Sequence, residues 1–140
     1  MKMYTYVTFR NMGDIFLPVP AQNSVLREVS NRLGVKYVLP RAEHFFKDSY
    51  IELNSLLEIS SKESLIGMYS FLMLPLDLSK LKVISEKLKE RKLKIYFALE
   101  NCFFTDIEDI KHLYLSHICR DMQLKFSPKF KEIKSQEIKL

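Results

Sequence analysis

Polar and charged side chains follow directly after four apolar or β-branched segments of this sequence, and these side chains could do chemistry. A guanidinium binds phosphates and carboxylates through its planar fork, and amide side chains bind polar groups such as hydroxyls. A glutamate whose carboxylate is partly desolvated has a raised pKa and suits proton transfer. The ligand-binding candidates are Arg10, Asn11, Gln22, Asn23, Arg41, His44 and Ser70, and the candidate catalytic residues are Glu43 and Glu100.

Each candidate also has a structural interpretation, and the sequence leaves the choice open. Arg10 could pair with Asp14 or Glu43 instead of a ligand. Gln22 and Asn23 could instead serve only as capping residues at the start of the helix that they open. The glutamate that follows the fourth segment could cap its own loop or pair with a lysine, and the serine that follows the third could be part of a structural hydrogen-bond network.

Several motifs that would specify a cofactor or a nucleophile are missing from the sequence. It contains no GxGxxG, no GxxxxGK[ST] and no GxSxG, so dinucleotide binding, P-loop binding and a hydrolase nucleophile are not expected. His112 and His117 stand five positions apart, which does not place both rings on one helical face, and no CxxC occurs, so no metal site is expected. Cys102 and Cys119 make no disulfide framework and are expected to be free thiols in a reducing compartment. Cys102 is not expected to be a nucleophile, because nothing in the sequence supplies an activating base. No cofactor is therefore predicted.

Four segments have the composition of strands, and a helical pattern follows each. The segments are residues 3–9, 35–39, 65–75 and 92–99. The third, LIGMYSFLMLP, is a long uncharged apolar run that is too short to cross a bilayer, so it is predicted to be a central strand buried on both faces. The alternation predicts an α/β fold with an open parallel four-stranded sheet, a flavodoxin-like order 2-1-3-4 and helices on both faces. Residues 123–127 could add a fifth strand, or another subunit could cover the last edge.

The predicted topology places the candidate residues at one edge of the sheet. Ligands of open parallel sheets bind outside the carboxyl ends of the strands, where the strand order reverses. Here that position lies between the first and third predicted strands. We therefore expect the candidates to form a polar collar around a common crevice.

The length of 140 residues is typical of one globular domain, which we expect over residues 1–122, followed by a basic tail over residues 123–140. The charged residues of the tail are Lys125, Lys129, Lys131, Glu132, Lys134, Glu137 and Lys139. They account for +3 of the net charge of +5. A solvated tail is favoured over a nucleic-acid or anionic-lipid footprint, because few aromatic residues lie among the lysines. No signal peptide or membrane span is evident, so a cytoplasmic protein is expected.

Five short stretches resemble the family of sporadic carbohydrate cluster proteins, small proteins encoded among surface-polysaccharide biosynthesis genes. The stretches are TFRNMG, PVPAQN, YVLPRAEH, IGMYSFLMLP and FALEN, within about residues 4–101. The positions matched to that family are Arg10, Gly13, Gln22, Asn23, Arg27, Glu43, Ser70 and Glu100. The resemblance implies a setting in sugar, nucleotide-sugar or glycan-precursor metabolism, and it implies no established reaction.

The predicted fold also resembles the catalytic domain of serine recombinases, in which a strand, a glutamine-containing helix start and a following G-x-x-Y-like strand recur. That family needs a nucleophilic serine just after the first strand, beside an arginine. In this sequence Arg10 is followed by Asn11, Met12 and Gly13, and no DNA-binding extension is evident. Recombination is therefore not expected.

Three functions are left open by the sequence, which does not decide whether the protein is an enzyme. The first is binding of a small anionic sugar-derived molecule in surface-glycan precursor metabolism, with proton transfer as an added step. The second is a non-catalytic scaffold subunit of a carbohydrate-biosynthetic complex, as a homo-oligomer or with a biosynthetic enzyme. For the first and second of these functions, nucleic acid is not an expected partner. The third is nucleic-acid association through the tail.

Overall fold

The computed structural model describes residues 1–12, 15–46, 49–75, 77–106, 108–109, 111–112 and 115. The chain divides into two compact units, Met1–Asp109 and Ile110–Leu140, and every strand and helix described lies in the first. The predicted basic tail, the fifth strand at residues 123–127 and the domain boundary after residue 122 lie outside the described residues and stay predictions.

The described elements alternate between strands and helices along the chain. They are β1 (Lys2–Val7), α1 (Val19–Leu33), β2 (Lys36–Tyr37), β3 (Arg41–Ala42), α2 (Ile51–Ile59), β4 (Leu65–Met68), a 3₁₀ turn (Phe71–Met73), α3 (Leu78–Arg91), β5 (Lys94–Phe97) and β6 (Cys102–Phe104). α1 ends at Gly34, whose φ of 68° is a left-handed conformation that glycine adopts readily. α3 begins at Asp77, whose carboxylate accepts a hydrogen bond from the Ser79 amide at 2.9 Å. None of these described helices is both long enough and apolar enough to cross a bilayer.

The strands form one mostly parallel six-stranded sheet, which confirms the α/β class. The order is β2-β1-β4-β5-β6, and β3 also pairs with β1. β2 pairs with the first half of β1, and β3 pairs with its second half, where Tyr6 lies opposite Arg41. β6 is antiparallel to β5. The prediction of four parallel strands in the order 2-1-3-4 is therefore wrong for the sheet as a whole, which is larger and includes an antiparallel edge.

The apolar run at residues 65–75 contains the central strand but is not a single strand. All four residues of β4 are buried, and β4 lies between β1 and β5. A short distance beyond Met68, two backbone donors bind side chains instead of a neighbouring strand. The Phe71 amide donates to the Glu100 carboxylate at 2.6 Å, and the Leu72 amide donates to the Ser70 hydroxyl at 3.2 Å. These two bonds turn the chain into the 3₁₀ turn.

Helices cover both faces of the sheet, as a sheet with parallel central strands requires. One face packs against α1 through a buried cluster of Met3, Val7, Leu26, Val29, Leu65 and Tyr96. Side chains alternate along a strand, so Tyr6 points to the other face. Its hydroxyl binds the same Glu43 carboxylate as the Leu53 amide in the first turn of α2. The second face is thus covered by α2, with α3 packed beside it.

Candidate functional site

Arg10 ties the end of β1 to the loop that precedes α2. Its guanidinium donates to the carbonyl of Phe46 at 3.0 Å and to the carbonyl of Ser49 at 2.9 Å. Its Nε donates to the Thr8 hydroxyl at 3.5 Å, and its Cζ lies 5.2 Å from the centre of the Tyr50 ring. These contacts use a large share of its donors, and the ion pair with Glu43 that the sequence allowed does not form among the described residues.

Gln22 has a structural position at the start of α1. Its side chain is completely buried. The Nε2 group donates to the carbonyls of Thr8 and Leu17, at 2.8 and 2.7 Å, and Oε1 accepts from the Thr8 amide at 3.1 Å. Its neighbour Asn23 has a buried Oδ1 with no hydrogen-bond partner among the described residues. A ligand-binding role for either amide stays a prediction.

Glu43 is the most highly bonded of the predicted site residues, and it is 2% exposed. One carboxylate oxygen, Oε2, accepts from the Tyr6 hydroxyl at 2.8 Å and from the Leu53 amide at 3.2 Å. The other, Oε1, accepts from the amides of His44 and Glu52 and from the Ser49 hydroxyl. Glu43 therefore caps the amino end of α2 from a separate loop and joins it to the sheet.

The environment of Glu43 favours its charged form. Desolvation by itself would raise the pKa of this carboxyl, but the hydrogen bonds from Tyr6, His44, Glu52 and Leu53 outweigh it and hold the pKa below its ordinary range. Burial, together with the bond to this carboxylate, raises the pKa of Tyr6 far above its usual value. A carboxylate so stabilised is a weak base, and its catalytic role stays a prediction.

Arg41 and His44 gather around a second carboxylate, that of Glu52. Arg41 lies 3.4 Å from Glu52 Oε2 and also donates to the Ser55 hydroxyl at 2.8 Å. His44 Nε2 lies 3.3 Å from Glu52 Oε1. These two predicted ligand-binding residues are therefore engaged with the first turns of α2.

Glu100 and Ser70 form a separate pair at the carboxyl ends of β4 and β5. Glu100 Oε1 accepts from the Ser70 hydroxyl at 2.9 Å and from the Phe71 amide at 2.6 Å. Its Oε2 is buried and has no hydrogen-bond partner in the described part of the chain. Desolvation raises the pKa of Glu100, although the bonds from Phe71 and Ser70 oppose the rise. Burial, with this carboxylate nearby, also raises the pKa of the Cys102 thiol.

Replacing Glu100 with glutamine is expected to remove part of the pH dependence of stability. Because the folded protein holds this proton more tightly than the unfolded chain, wild-type stability falls as the pH rises from about 4.3 through the raised folded pKa. The amide of Glu100→Gln cannot ionise, so the variant gains in Tm relative to wild type as the pH rises. Thermal unfolding between about pH 4 and pH 8 measures the difference. Glu58→Gln, at an exposed position of α2, is the control, and a Tm difference that does not change with pH would contradict the expectation.

The predicted residues thus lie in several contact groups instead of one collar. A crevice of about 190 Å³ lies beside the end of β1 and is lined by Thr8, Arg10, Asn11, Met12, Tyr50, Leu72 and Met73. Of the predicted site residues, this crevice exposes Arg10 and Asn11. Gln22 and Glu43 contact the same loops from within the protein, and Glu100 binds Ser70.

A larger groove, which the sequence analysis missed, lies between the amino-terminal parts of α2 and α3. This α2–α3 groove has a volume of about 490 Å³ and is lined by Phe46, Ser49, Tyr50, Ile51, Asn54, Pro75, Lys80, Val83 and Ile84. The signal that could have revealed it is the pair Phe45 and Phe46, two aromatic residues in a polar loop. Both are 76% exposed.

Positive charge is concentrated on α3 as well as in the tail. Residues 78–94 contain seven basic and two acidic side chains: Lys80, Lys82, Lys87, Lys89, Arg91, Lys92, Lys94, Glu86 and Glu90. Lys89 pairs with Asp106 at 3.0 Å, and Arg91 donates to the carbonyls of Glu58 and Ser60. Lys80 and Lys82 are both exposed, and Lys80 lines the α2–α3 groove. In the sequence, the leucines among these lysines indicate only an amphipathic helix, so the charge of this segment was not recognised as a functional feature.

Comparison with known proteins finds similarity in structure but not in sequence. No protein-family model and no curated protein matches the chain. The N-terminal catalytic domain of TP901-1 integrase is similar in structure with a TM-score of 0.59 and 11% identity, over 90% of this chain and 98% of that one. A resolvase family site-specific recombinase from Streptococcus pneumoniae is similar with a TM-score of 0.60 and 9% identity, over 100% of this chain and 99% of that one. The fold is that of the catalytic domains of these recombinases, which confirms the fold-level resemblance to serine recombinases.

These findings correct the expected function and partners. Nothing supports the resemblance to sporadic carbohydrate cluster proteins, and the solved structures that share the fold are recombinases and not proteins of carbohydrate metabolism. The prediction of a sugar-derived ligand in surface-glycan biosynthesis is therefore wrong, as is the exclusion of nucleic acid as a partner.

Proposed function

We propose that this chain is a nucleic-acid-associated protein built on a recombinase-like catalytic-domain fold, and that it does not cut strands through a hydroxyl nucleophile. The observation that carries the proposal is the structural similarity to recombinases, which extends over at least 90% of this chain. Fold alone does not specify function, so the proposal also depends on the chemistry at the end of β1 and on the charge of α3.

Among the described residues, no accessible hydroxyl nucleophile lies at the end of β1. A nucleophilic serine or threonine needs an adjacent base and an open path to its substrate. Thr8 is 3% exposed, and its hydroxyl accepts from the Arg10 amide at 3.1 Å. The nearby hydroxyls of Ser49 and Ser70 donate to Glu43 and Glu100. This arrangement supports binding without strand cleavage.

The charge of α3 supports a nucleic-acid partner of either strandedness. Lysines near one another attract the phosphate backbone and release its counterions, which gives affinity without sequence specificity. Arg10 and Asn11, at the crevice beside this surface, are proposed as further contacts to phosphate oxygens. This proposal replaces the anionic sugar with a phosphate, which is an anion of the same binding chemistry.

Binding of fluorescently labelled oligonucleotides to the full chain, measured by anisotropy, tests the proposal. Two or three lysine–phosphate contacts predict that affinity falls by about 10–40-fold between about 50 and 200 mM salt. A supercoiled plasmid is expected to stay intact, with no protein–DNA adduct that survives denaturation. Absence of binding at low salt, up to about 100 μM protein, would contradict the association, and a covalent adduct would contradict the non-cleaving half.

A further inference from the structure

The α2–α3 groove combines exposed apolar side chains with cations at its rim. Phe46 projects into solvent, and Ile51, at the start of α2, is 64% exposed. Val83, on α3, is 49% exposed on the opposite wall. A volume near 490 Å³ falls within the range of sites that hold small molecules or single groups of a larger ligand.

Two cations flank the aromatic ring at the floor of this groove. The guanidinium carbon of Arg10 lies 5.2 Å from the centre of the Tyr50 ring, and Lys80 Nζ lies 5.9 Å from the same centre. Cations at these distances are attracted to the ring face, so the Lys80 ammonium lies near the Tyr50 ring while the side chain stays exposed. The Asp77 carboxylate lies near enough to Lys80 to interact with it, and it also accepts hydrogen bonds from the Ser79 amide and hydroxyl in capping α3.

We propose that the α2–α3 groove binds single-stranded nucleic acid, with a base stacked on the ring of Phe46 and an adjacent phosphate held by Lys80. The inference rests on the proposed function and narrows it to single strands. Sites for single strands pair a basic groove with aromatic rings on which bases stack, and the stacking tolerates any base. In a duplex the bases are already stacked on one another, so a duplex can meet the lysines but not the phenylalanine ring.

A second copy of this chain fits the groove less well. A symmetric dimer places the same surface on both partners, so docking through this groove would bring two lysine-rich α3 helices together. Like charges across an interface oppose association. A polyanion with flat apolar groups matches both the charge and the exposed ring.

The test compares Phe46→Ala with Phe16→Ala on a labelled single strand and on the duplex of the same sequence. Phe16 is a matched control because it is 63% exposed and lies outside the groove. We expect Phe46→Ala to weaken single-strand binding about tenfold or more, to change duplex affinity less than about twofold, and to leave the Tm unchanged because the ring is exposed. Photocrosslinking of a bromouracil-substituted single strand to the wild-type chain is expected to label the peptide that contains Phe46 and Tyr50.

The other outcomes separate this inference from the proposed function. Wild-type binding that Phe46→Ala does not alter, or weakens equally for single strand and duplex, overturns the groove assignment and leaves nucleic-acid association standing. If neither oligonucleotide binds, both the groove assignment and the proposed nucleic-acid association are overturned. Sedimentation could also show that the wild-type chain is a dimer and that Phe46→Ala dissociates it without changing oligonucleotide binding. That result identifies a second copy as the occupant of the groove and overturns the inference.

Discussion

Replacing Glu43 with alanine is expected to lower the free energy of unfolding by about 3–5 kcal/mol, because several buried donors lose their acceptor together, each worth about 1–3 kcal/mol. Those donors are the Tyr6 and Ser49 hydroxyls and the amides of His44, Glu52 and Leu53. They come from β1, the loop between β3 and α2, and the first turn of α2. The loss therefore acts on the junction between α2 and the sheet, where no other described carboxylate can replace Glu43.

Urea unfolding near neutral pH measures this loss, and Glu58→Ala is the matched control. Glu58 is an exposed glutamate on the same helix, so its removal should change the free energy of unfolding by no more than about 0.5 kcal/mol. A loss below about 1 kcal/mol for Glu43→Ala would mean that water satisfies these donors. The Glu43 network would then not be what attaches α2.

The same variant should have a flatter stability profile in acid. The folded pKa of Glu43 is held below its ordinary value, so its stabilisation is complete above about pH 4.3 and is lost as the pH falls through the folded pKa. Glu43→Ala has no such contribution to lose. The difference in stability between wild type and variant should therefore shrink as the solution becomes acidic.

The central part of the fold could be predicted from sequence, because its signal is local. Residues 65–68 are an uncharged apolar run, and a strand buried on both faces needs that composition. β2 and β3 have two residues each, which is too short for any periodic pattern. Both exist because β1 offers two successive pairing sites. The pairing of β2 and β3 with β1 depends on contacts between residues about 35 positions apart in sequence.

The candidate site could be predicted only in part, because its side chains act through distant partners. Glu43 looked like a free loop carboxylate, yet Tyr6, 37 positions earlier, and Leu53, ten positions later, both bind it. Arg10 was correctly placed at the end of the first strand, but its carbonyl partners come from the loop before α2. The exposed ring of Phe46 was missed because apolar residues are more often buried than displayed.

The positive charge of α3 was missed for a different reason. Leu81, Ile84 and Leu88 are buried and mark the helix as amphipathic, and the lysines between them have the pattern of an ordinary solvated face. Only the fold shows that Lys80, near the amino end of α3, lines a groove. The lysines of the tail, which the sequence singled out for nucleic-acid association, lie outside the described residues, and their role stays a prediction.

Binding of nucleic acid by α3 is the central claim, and reversal of the charge on this helix tests it directly. Lys80→Glu combined with Lys82→Glu should weaken oligonucleotide binding by about 10–100-fold and reduce the slope of log affinity against log salt by about two. The helix should still form, since glutamate near a helix amino end is favourable.

Lys2→Glu combined with Lys36→Glu is the matched control for this measurement. These exposed lysines lie opposite each other at the amino edge of β1 and β2, and their reversal makes the same change in net charge. Anisotropy titrations of the wild-type chain and both double variants, across a series of salt concentrations, give the answer. The account predicts that the α3 variant loses affinity and salt dependence while the control stays within about threefold of wild type. Equal losses in the two variants, or no loss in either, would contradict it.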